Sequence, residues 1–308
     1  MKSETTTFAE GATAEILELD EQVDLAVTDV RARVREALEA GNLVFLKGRG
    51  FALTERERTI ITDPKIMSRG NEERSKRNGR PTLTFDVATD RLLFNTIRTP
   101  ERREIEAMLR RYSVWSRNLL QTMVPEFAQA CEQNRIVYRP VERNRVQGLH
   151  VDSTYLYPTQ GRSKLRIFCN IDPKGRPRVW EIGERFENFA QRYLPLVRVE
   201  RRWFQTAVDR FASLVGVVKG QRTEYDHVLE SIRSRGKSDR NYQKSAPRRI
   251  VSFPAGSAWI GLTDVVLHGG ISGQHALDQV FFVPPEVMRN PSRSALRILE
   301  RLSGHTLT

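Results

Sequence analysis

Two side chains able to hold a metal stand two residues apart in the segment LHVD at 149–152. In an extended strand, positions i and i+2 point to one face, so the His150 imidazole and the Asp152 carboxylate can converge on a single ion. The chain has five histidines, and at average aspartate usage a His-x-Asp then arises by chance in roughly one chain in four. The pair therefore needs context. His268 provides it, closing the strand-like run DVVLH just before Gly269-Gly270. Two histidines and one carboxylate with coordination positions left open form the facial triad of non-haem Fe(II) oxygenases. The open positions matter, because 2-oxoglutarate must chelate such a metal and O2 must still bind. A zinc hydrolase uses similar ligands, so residue types alone leave the metal open.

The segment LRIFCNI at 165–171 supplies a complementary group. As a strand it puts Arg166, Phe168 and Asn170 on one face, with Leu165, Ile167, Cys169 and Ile171 on the other. An arginine alternating inward needs an anion, and the distal carboxylate of 2-oxoglutarate suits a bidentate guanidinium. Arg166 and Asn170 are thus the candidate 2-oxoglutarate contacts; the bland alternative is an arginine facing solvent on an edge strand. Of the other histidines, His227 is a rival ligand in a helical stretch. His275, in a glycine-flanked loop, is expected to line the site entrance, and His305 to be a bystander.

The elements that would position these residues read as follows. Val23–Ala40 carries helical spacing and ends at Gly41-Asn42, Leu43–Leu46 is a short strand, and residues 55–80 are polar loop or short helices. A helix from about Pro100 to Ala130 presents Ile105, Met108, Leu109, Tyr112, Trp115, Leu119, Leu120, Met123 and Phe127 as one stripe, with Pro125 splitting its end. Strand-like segments follow at 148–153, 165–171 and 178–182, then a helical insertion over about 186–232, then strands at 249–253, 257–262, 265–268 and 277–283. Short strands with regular turns make a small antiparallel barrel or sandwich, mainly β with helices buttressing it. One elaborated domain over 1–308, loose over residues 1–20, is the economical organisation.

Composition narrows the class. With 39% hydrophobic residues the chain buries a large core and is not disordered. Nothing approaches the run of roughly 20 apolar residues that spans a bilayer, and the start lacks a basic stretch followed by an apolar one, so the expected location is cytoplasmic. Cys131 and Cys169 are too few and too far apart for a thiolate cage. The net charge of +12 favours anionic partners: an acidic small molecule, a lipid headgroup or nucleic acid. Nucleic acid lacks support, since no zinc-finger spacing, aromatic recognition run or compact basic block is present.

A resemblance to a known family rests on YRPVE at 138–142, LHVD at 149–152 and GRSKLRIFCNIDPKGRPRVWEIGERFENFAQRYLP at 161–195. It continues through KGQRTEYDH at 219–227, KSDRNYQKSAP at 237–247 and FPAGSAWIGLTDVVLHGGISGQHALDQVFFVP at 253–284. From about Tyr138 to Pro285 the chain resembles the Kdo hydroxylases. These are Fe(II)/2-oxoglutarate dioxygenases that hydroxylate C3 of 3-deoxy-D-manno-oct-2-ulosonic acid (Kdo) in Gram-negative lipopolysaccharide. The resemblance implies a double-stranded β-helix core, also called cupin-like or jelly-roll, with helical additions. It implies Fe(II) held by His150, Asp152 and His268, 2-oxoglutarate on Arg166, and O2 consumed with release of succinate and CO2. Arg139, in the Arg-Pro pair, is a further substrate or cosubstrate candidate, as are His275 and Gln279. Gln279 lies in Asp278-Gln279-Val280, which stands in place of a Glu-Gln-Thr-like triplet.

The implied partner is a Kdo-containing lipid A precursor at an anionic membrane surface, which makes the protein peripheral on the cytoplasmic face of the inner membrane. Phe204, Val208, Phe211, Val215 and Val218, beside Arg201, Arg202 and Trp203, form a helical face suited to that interface or to packing on the barrel. Another anionic sugar, glycolipid or protein side chain as substrate, a non-catalytic cupin-like binding protein, and a nucleic-acid-binding module remain the rival readings.

Overall fold

Ser163–Asn170 is buried along its whole length, and a strand covered on both faces belongs in the middle of a sandwiched sheet. The computed structural model describes residues 13–63, 82–93, 101–140, 148–153, 155–197 and 220–307. In chain order it begins with β1 (Ile16–Leu19), α1 (Thr28–Glu39), β2 (Leu43–Leu46), α2 (Glu55–Thr62), β3 (Leu83–Asp86) and β4 (Arg91–Leu93). Then come α3 (Glu101–Met123), α4 (Pro125–Ala130), β5 (Glu132–Arg139), β6 (Ser163–Asn170), β7 (Arg178–Arg185) and α5 (Phe186–Tyr193). The rest is α6 (Glu224–Ser238), α7 (Arg240–Ser245), β8 (Arg248–Phe253), β9 (Ala258–Leu262), β10 (Val266–Ser272), β11 (Ala276–Val283) and α8 (Ala295–Ser303).

An eight-stranded sheet in the order β1-β2-β9-β6-β11-β5-β3-β4 faces a three-stranded sheet, β10-β7-β8. The pairing is antiparallel except between β1 and β2. From β6 onward the chain crosses repeatedly between the two sheets, which is the jelly-roll connectivity. Their inner faces close over Leu43, Phe45, Phe168 and Trp259 from one side and Trp180, Ile182, Phe253 and Val266 from the other. Phe253 and Trp259 stack with centroids 4.1 Å apart, filling the barrel behind the candidate metal ligands.

The other face of β5, β6 and β11 carries Ile136, Tyr138, Cys169 and Leu277, and α3 lays Ile105, Met108, Leu109 and Tyr112 across it. Each such side chain stabilises the fold by about 1.5–3 kcal/mol through burial. The Tyr112 hydroxyl, its only polar atom beyond the backbone, donates to Ile167 O at 2.8 Å.

The expected strands of the barrel other than 148–153 are present, and Pro125 opens α4 after α3 ends at Met123. Some expectations are corrected. The loose start does not reach residue 20, because Ile16–Leu19 pairs with β2. Residues 148–153 form one β-bridge at His150 rather than a strand. β5, β1, the β3–β4 hairpin and α8 were not anticipated. The expected insertion is helical at both ends, in α5 and the first part of α6, while its middle, residues 198–219 with the Phe204–Val218 face, and the basic stretch at 65–80 lie outside the described residues.

Candidate active site

The two histidines are a cross-strand pair. His150 N–H donates to His268 O at 3.1 Å and His268 N–H to His150 O at 2.9 Å, bringing the ring centroids to 4.9 Å. Each Nδ1 lies 2.9 Å from a carbonyl two residues back, Gly148 O for His150 and Val266 O for His268. Those carbonyls hold the proton on Nδ1 and turn both Nε2 lone pairs to one point. The Asp152 carboxylate stands 3.9 Å from His150 Nε2 and 4.0 Å from His268 Nε2. The three ligand atoms lie within 4.8 Å of one another, a spacing that suits a common ion at about 2.0–2.2 Å from each.

Neighbouring elements hold this geometry. Asp152 N–H donates to Thr263 O at 2.7 Å. The Gln243 amide, on α7, brackets Leu149 by accepting from its N–H and donating to its carbonyl, both at 2.9 Å. Gly269 passes so close that a Cβ there would meet Glu181 Oε1 at 2.5 Å and Gly148 O at 2.7 Å. Trp180 stacks on His268 with centroids 4.9 Å apart. Burial, then the like charge of His268, pushes the His150 pKa well down and keeps its imidazole neutral. Burial alone would raise the Asp152 pKa, but Arg166, His268, Lys164 and His150 hold it well below the carboxylate range. A neutral imidazole at His150 and an ionised carboxylate at Asp152 are the protonation states that a divalent metal requires of those two ligands.

Beside the triad runs a cationic wall. Arg166 is 8% exposed and uses one Nη on Asp152 and the other on Asp278. Arg139 reaches the second Asp278 oxygen at 3.0 Å. Lys164 is buried next to Asp152, and burial lowers its pKa to about 8. Arg135 joins from β5, half-buried, and burial lowers its pKa as well. These four cations outnumber the two carboxylates among them, and a divalent metal would add to the excess. A dianion such as 2-oxoglutarate fits that imbalance. The Arg166 Nε and the Trp180 and Trp259 indole N–H groups are buried donors with no partner among the described residues.

The sequence-based candidates separate into two groups. His150, Asp152, His268, Arg166 and Arg139 meet in one place. Arg166 is there, but both Nη groups are taken by protein carboxylates, so a bidentate Nη clamp on 2-oxoglutarate gives way to a single open Nε. Asn170 is not at the pocket: its amide donates to Arg176 O and Phe253 O at 2.9 and 3.0 Å and accepts from Asp172 N–H, closing a turn. Gln279 points to the α3 side, donating to Asn134 O at 2.8 Å. His275 also turns outward, with Nδ1 2.8 Å from the Tyr138 hydroxyl. His227 lies on α6 and His305 after α8, both outside the metal-type cluster. Sequence reasoning missed Arg135, Lys164, Asp278, Trp180 and Gln243 as parts of the site. For Lys164 a signal existed: it shares strand parity with Arg166.

A family model described as 3-deoxy-D-manno-oct-2-ulosonic acid (Kdo) hydroxylase matches residues 22–306. Among solved structures, the Kdo hydroxylase KdoO, a non-heme Fe(II) alphaketoglutarate dependent dioxygenase, matches in complex with succinate and Fe(III). That alignment has 30% identity and a TM-score of 0.83, covering 95% of this chain and 97% of that one. Its complex with alphaketoglutarate and Fe(III) matches at 29% identity and TM-score 0.83, over 96% and 97% of the two chains. Its cobalt(II) complex matches at 30% identity and TM-score 0.83, over 95% and 97%. No curated protein sequence matches.

Proposed function

This chain belongs to the Kdo hydroxylase family of Fe(II)/2-oxoglutarate dioxygenases, and from that premise we propose that it hydroxylates C3 of Kdo in lipopolysaccharide, on a Kdo2-lipid A acceptor. The observation that carries the reading is the convergence of His150 Nε2, His268 Nε2 and the Asp152 carboxylate beside a surplus of cationic side chains.

His150, Asp152 and His268 would hold Fe(II), leaving the pocket side of the metal to the cosubstrate. When bound, Fe(II) and 2-oxoglutarate supply the oxidising chemistry, dividing O2 between succinate and the new sugar hydroxyl. The protein's share is orientation and shielding. Arg166 ties the ligand Asp152 to Asp278 and so fixes the carboxylate's plane, while its Nε and the Trp180 N–H remain available to an anion. Phe168 and Trp180, edge to face at 4.7 Å, wall off water behind the metal.

The charge of +12 supports docking at an anionic membrane surface. Among the described residues no helix is long and apolar enough to cross a membrane, so the proposed association is peripheral. Flotation with anionic liposomes tests it: recovery with the vesicles is expected, and a protein left wholly in the soluble fraction counts against it.

The test of the reaction uses anaerobically purified, Fe(II)-loaded protein with 2-oxoglutarate, O2 and Kdo2-lipid A. Succinate together with a mass gain of one oxygen on Kdo is expected. Succinate without that gain shifts the proposal to another anionic acceptor. No succinate from metal-replete protein, with or without lipid, overturns it in favour of a non-catalytic binding protein.

A further inference from the structure

From Lys237 to Ile250, across the end of α6, all of α7 and the start of β8, the chain carries Lys237, Arg240, Lys244, Arg248 and Arg249 against one acid, Asp239. That acid is already engaged. Its carboxylate accepts from the Asn241 and Tyr242 N–H groups, both at 3.0 Å, and from the Tyr193 hydroxyl at 2.9 Å. Arg248 pairs with Glu181 at 2.8 Å. Arg240, Lys244 and Arg249 are exposed and have no carboxylate within ion-pair distance among the described residues. Other parts of the surface balance such charges: the exposed Arg56, Arg111, Arg297 and Arg301 each reach a carboxylate at 2.5–3.1 Å.

The arrangement is locally unfavourable. Arg240 and Lys244 are four residues apart, so they stand on one face of α7, opposite the buried Tyr242, and repel each other. Arg240 also opens α7, the end of a helix that disfavours positive charge. Helix stability therefore does not account for either residue, whereas an external anion does. Next to them in sequence, Ile250 on the edge strand β8 is 57% exposed. Cations beside an exposed apolar side chain match an anionic bilayer interface, where the charges meet headgroups and the apolar group enters the boundary below.

The same elements support the metal segment. Gln243 of α7 brackets Leu149, just before His150, and the Lys237 charge acts on His150. One helix diameter, about 10–12 Å, thus separates the outer face of α7 from the metal-binding segment.

We propose that the face carrying Arg240, Lys244, Arg249 and Ile250 is the surface through which the protein docks on an anionic bilayer, with lipid headgroups supplying the missing anions. This rests on the peripheral association argued above and assigns it to one face. Docked there, the protein holds its metal segment close to an acceptor anchored in the bilayer.

The experiment measures co-sedimentation of the full-length protein with vesicles of phosphatidylcholine, alone or mixed with phosphatidylglycerol, and no substrate present. A basic residue at such a surface strengthens binding about fivefold. The triple variant Arg240→Gln, Lys244→Gln, Arg249→Gln is therefore expected to bind mixed vesicles about 100-fold more weakly than wild type. The control Arg33→Gln, Arg58→Gln, Arg103→Gln removes three exposed charges from α1, α2 and α3 and lowers the net charge equally. It is expected to bind nearly as wild type does, because salt screens charges far from the bilayer.

Equal losses in the two variants overturn the assignment and leave a docking driven by net charge alone. Wild type that binds neutral and mixed vesicles alike overturns the role of anionic headgroups. If the triple variant does not fold, Lys244→Gln and Arg249→Gln are measured singly, each with an expected loss of about fivefold; no loss in either overturns the assignment. Wild type that ignores mixed vesicles altogether is a separate failure: it sinks the peripheral association itself and leaves this face to a soluble polyanion.

Discussion

Strands β5, β6 and β11 have two faces that solve opposite problems. Toward α3 they present Ile136, Tyr138, Cys169 and Leu277, a surface that needs only to exclude water. Toward the pocket the same strands present Arg135, Arg139, Lys164, Arg166 and Asp278, of which Asp278 is 1% exposed. The apolar face stabilises the fold without specifying much. The charged face costs desolvation and is tolerable only through its ion pairs and whatever anion binds there. A strand whose two faces differ this much is a strand recruited for function, with the α3 side supplying the free energy that lets the pocket side exist.

The comparison is broken or sharpened first at the metal. Asp152→Ala is expected to lower succinate formation by about 10³-fold or more, because a metal ligand is lost. Residual activity near wild type in purified protein removes Asp152 from the site. Next come two matched deletions, one on each face. Asp278→Ala leaves Arg139 without its partner and Arg166 with one, and is expected to cost about 3–5 kcal/mol of stability. Leu109→Ala, on α3, is expected to cost about 2–4 kcal/mol by cavity formation and to leave KM for 2-oxoglutarate unchanged. Urea denaturation measures both. A negligible cost for Asp278→Ala would mean that the charged face does not rest on its ion pairs. A smaller effect is expected at Gln243→Leu, which releases the peptide before His150. Metal affinity should fall about 10- to 100-fold, as for other groups that orient ligands, and metal titration decides.

The two faces were also unequally legible in sequence. The triad could be read because His150 and Asp152 obey the two-residue period of a strand and His268 ends an apolar one. The stripe of α3 could be read because its apolar spacing is helical. β5 could not, because EQNRIVYR has polar or charged residues at six of its eight positions if Tyr138 is counted as polar. Its two outward anchors, Ile136 and Tyr138, make sense only once α3 covers them. Gln279 shows the reverse case. Its type suggested a pocket contact, but the same period puts it on the opposite face from Asp278. Asn170 has the right parity, yet it falls at the strand's end, where backbone groups leaving the ladder claim its amide. Arg166 shows a third limit: sequence called for an anion there, and the structure supplies two of them from the protein itself.

The smallest effect expected lies at the rim between the two faces. Asp264 is 1% exposed, its Oδ1 accepts from Lys164 N–H at 3.1 Å, and its Oδ2 has no hydrogen-bond partner among the described residues. Burial raises its pKa from 3.8 to about 6, against the pull of its backbone hydrogen bonds and of Lys164. The folded-state pKa thus exceeds the unfolded one, so the unfolded chain releases this proton first. The stabilisation from the protonated carboxyl is complete below about pH 4 and is lost as pH rises through 6. Asp264→Asn keeps the acceptor for Lys164 N–H and removes the titration. It is therefore expected to match wild type near pH 4 and to exceed it by about 1–2 kcal/mol at pH 7. The gain falls below the full linkage value because Lys164 loses an anionic neighbour. Urea denaturation at the two pH values is the measurement. A variant no more stable than wild type at pH 7 would show that the Lys164 attraction outweighs the desolvation of Asp264, and that the charged face extends, fully compensated, to the turn before β10.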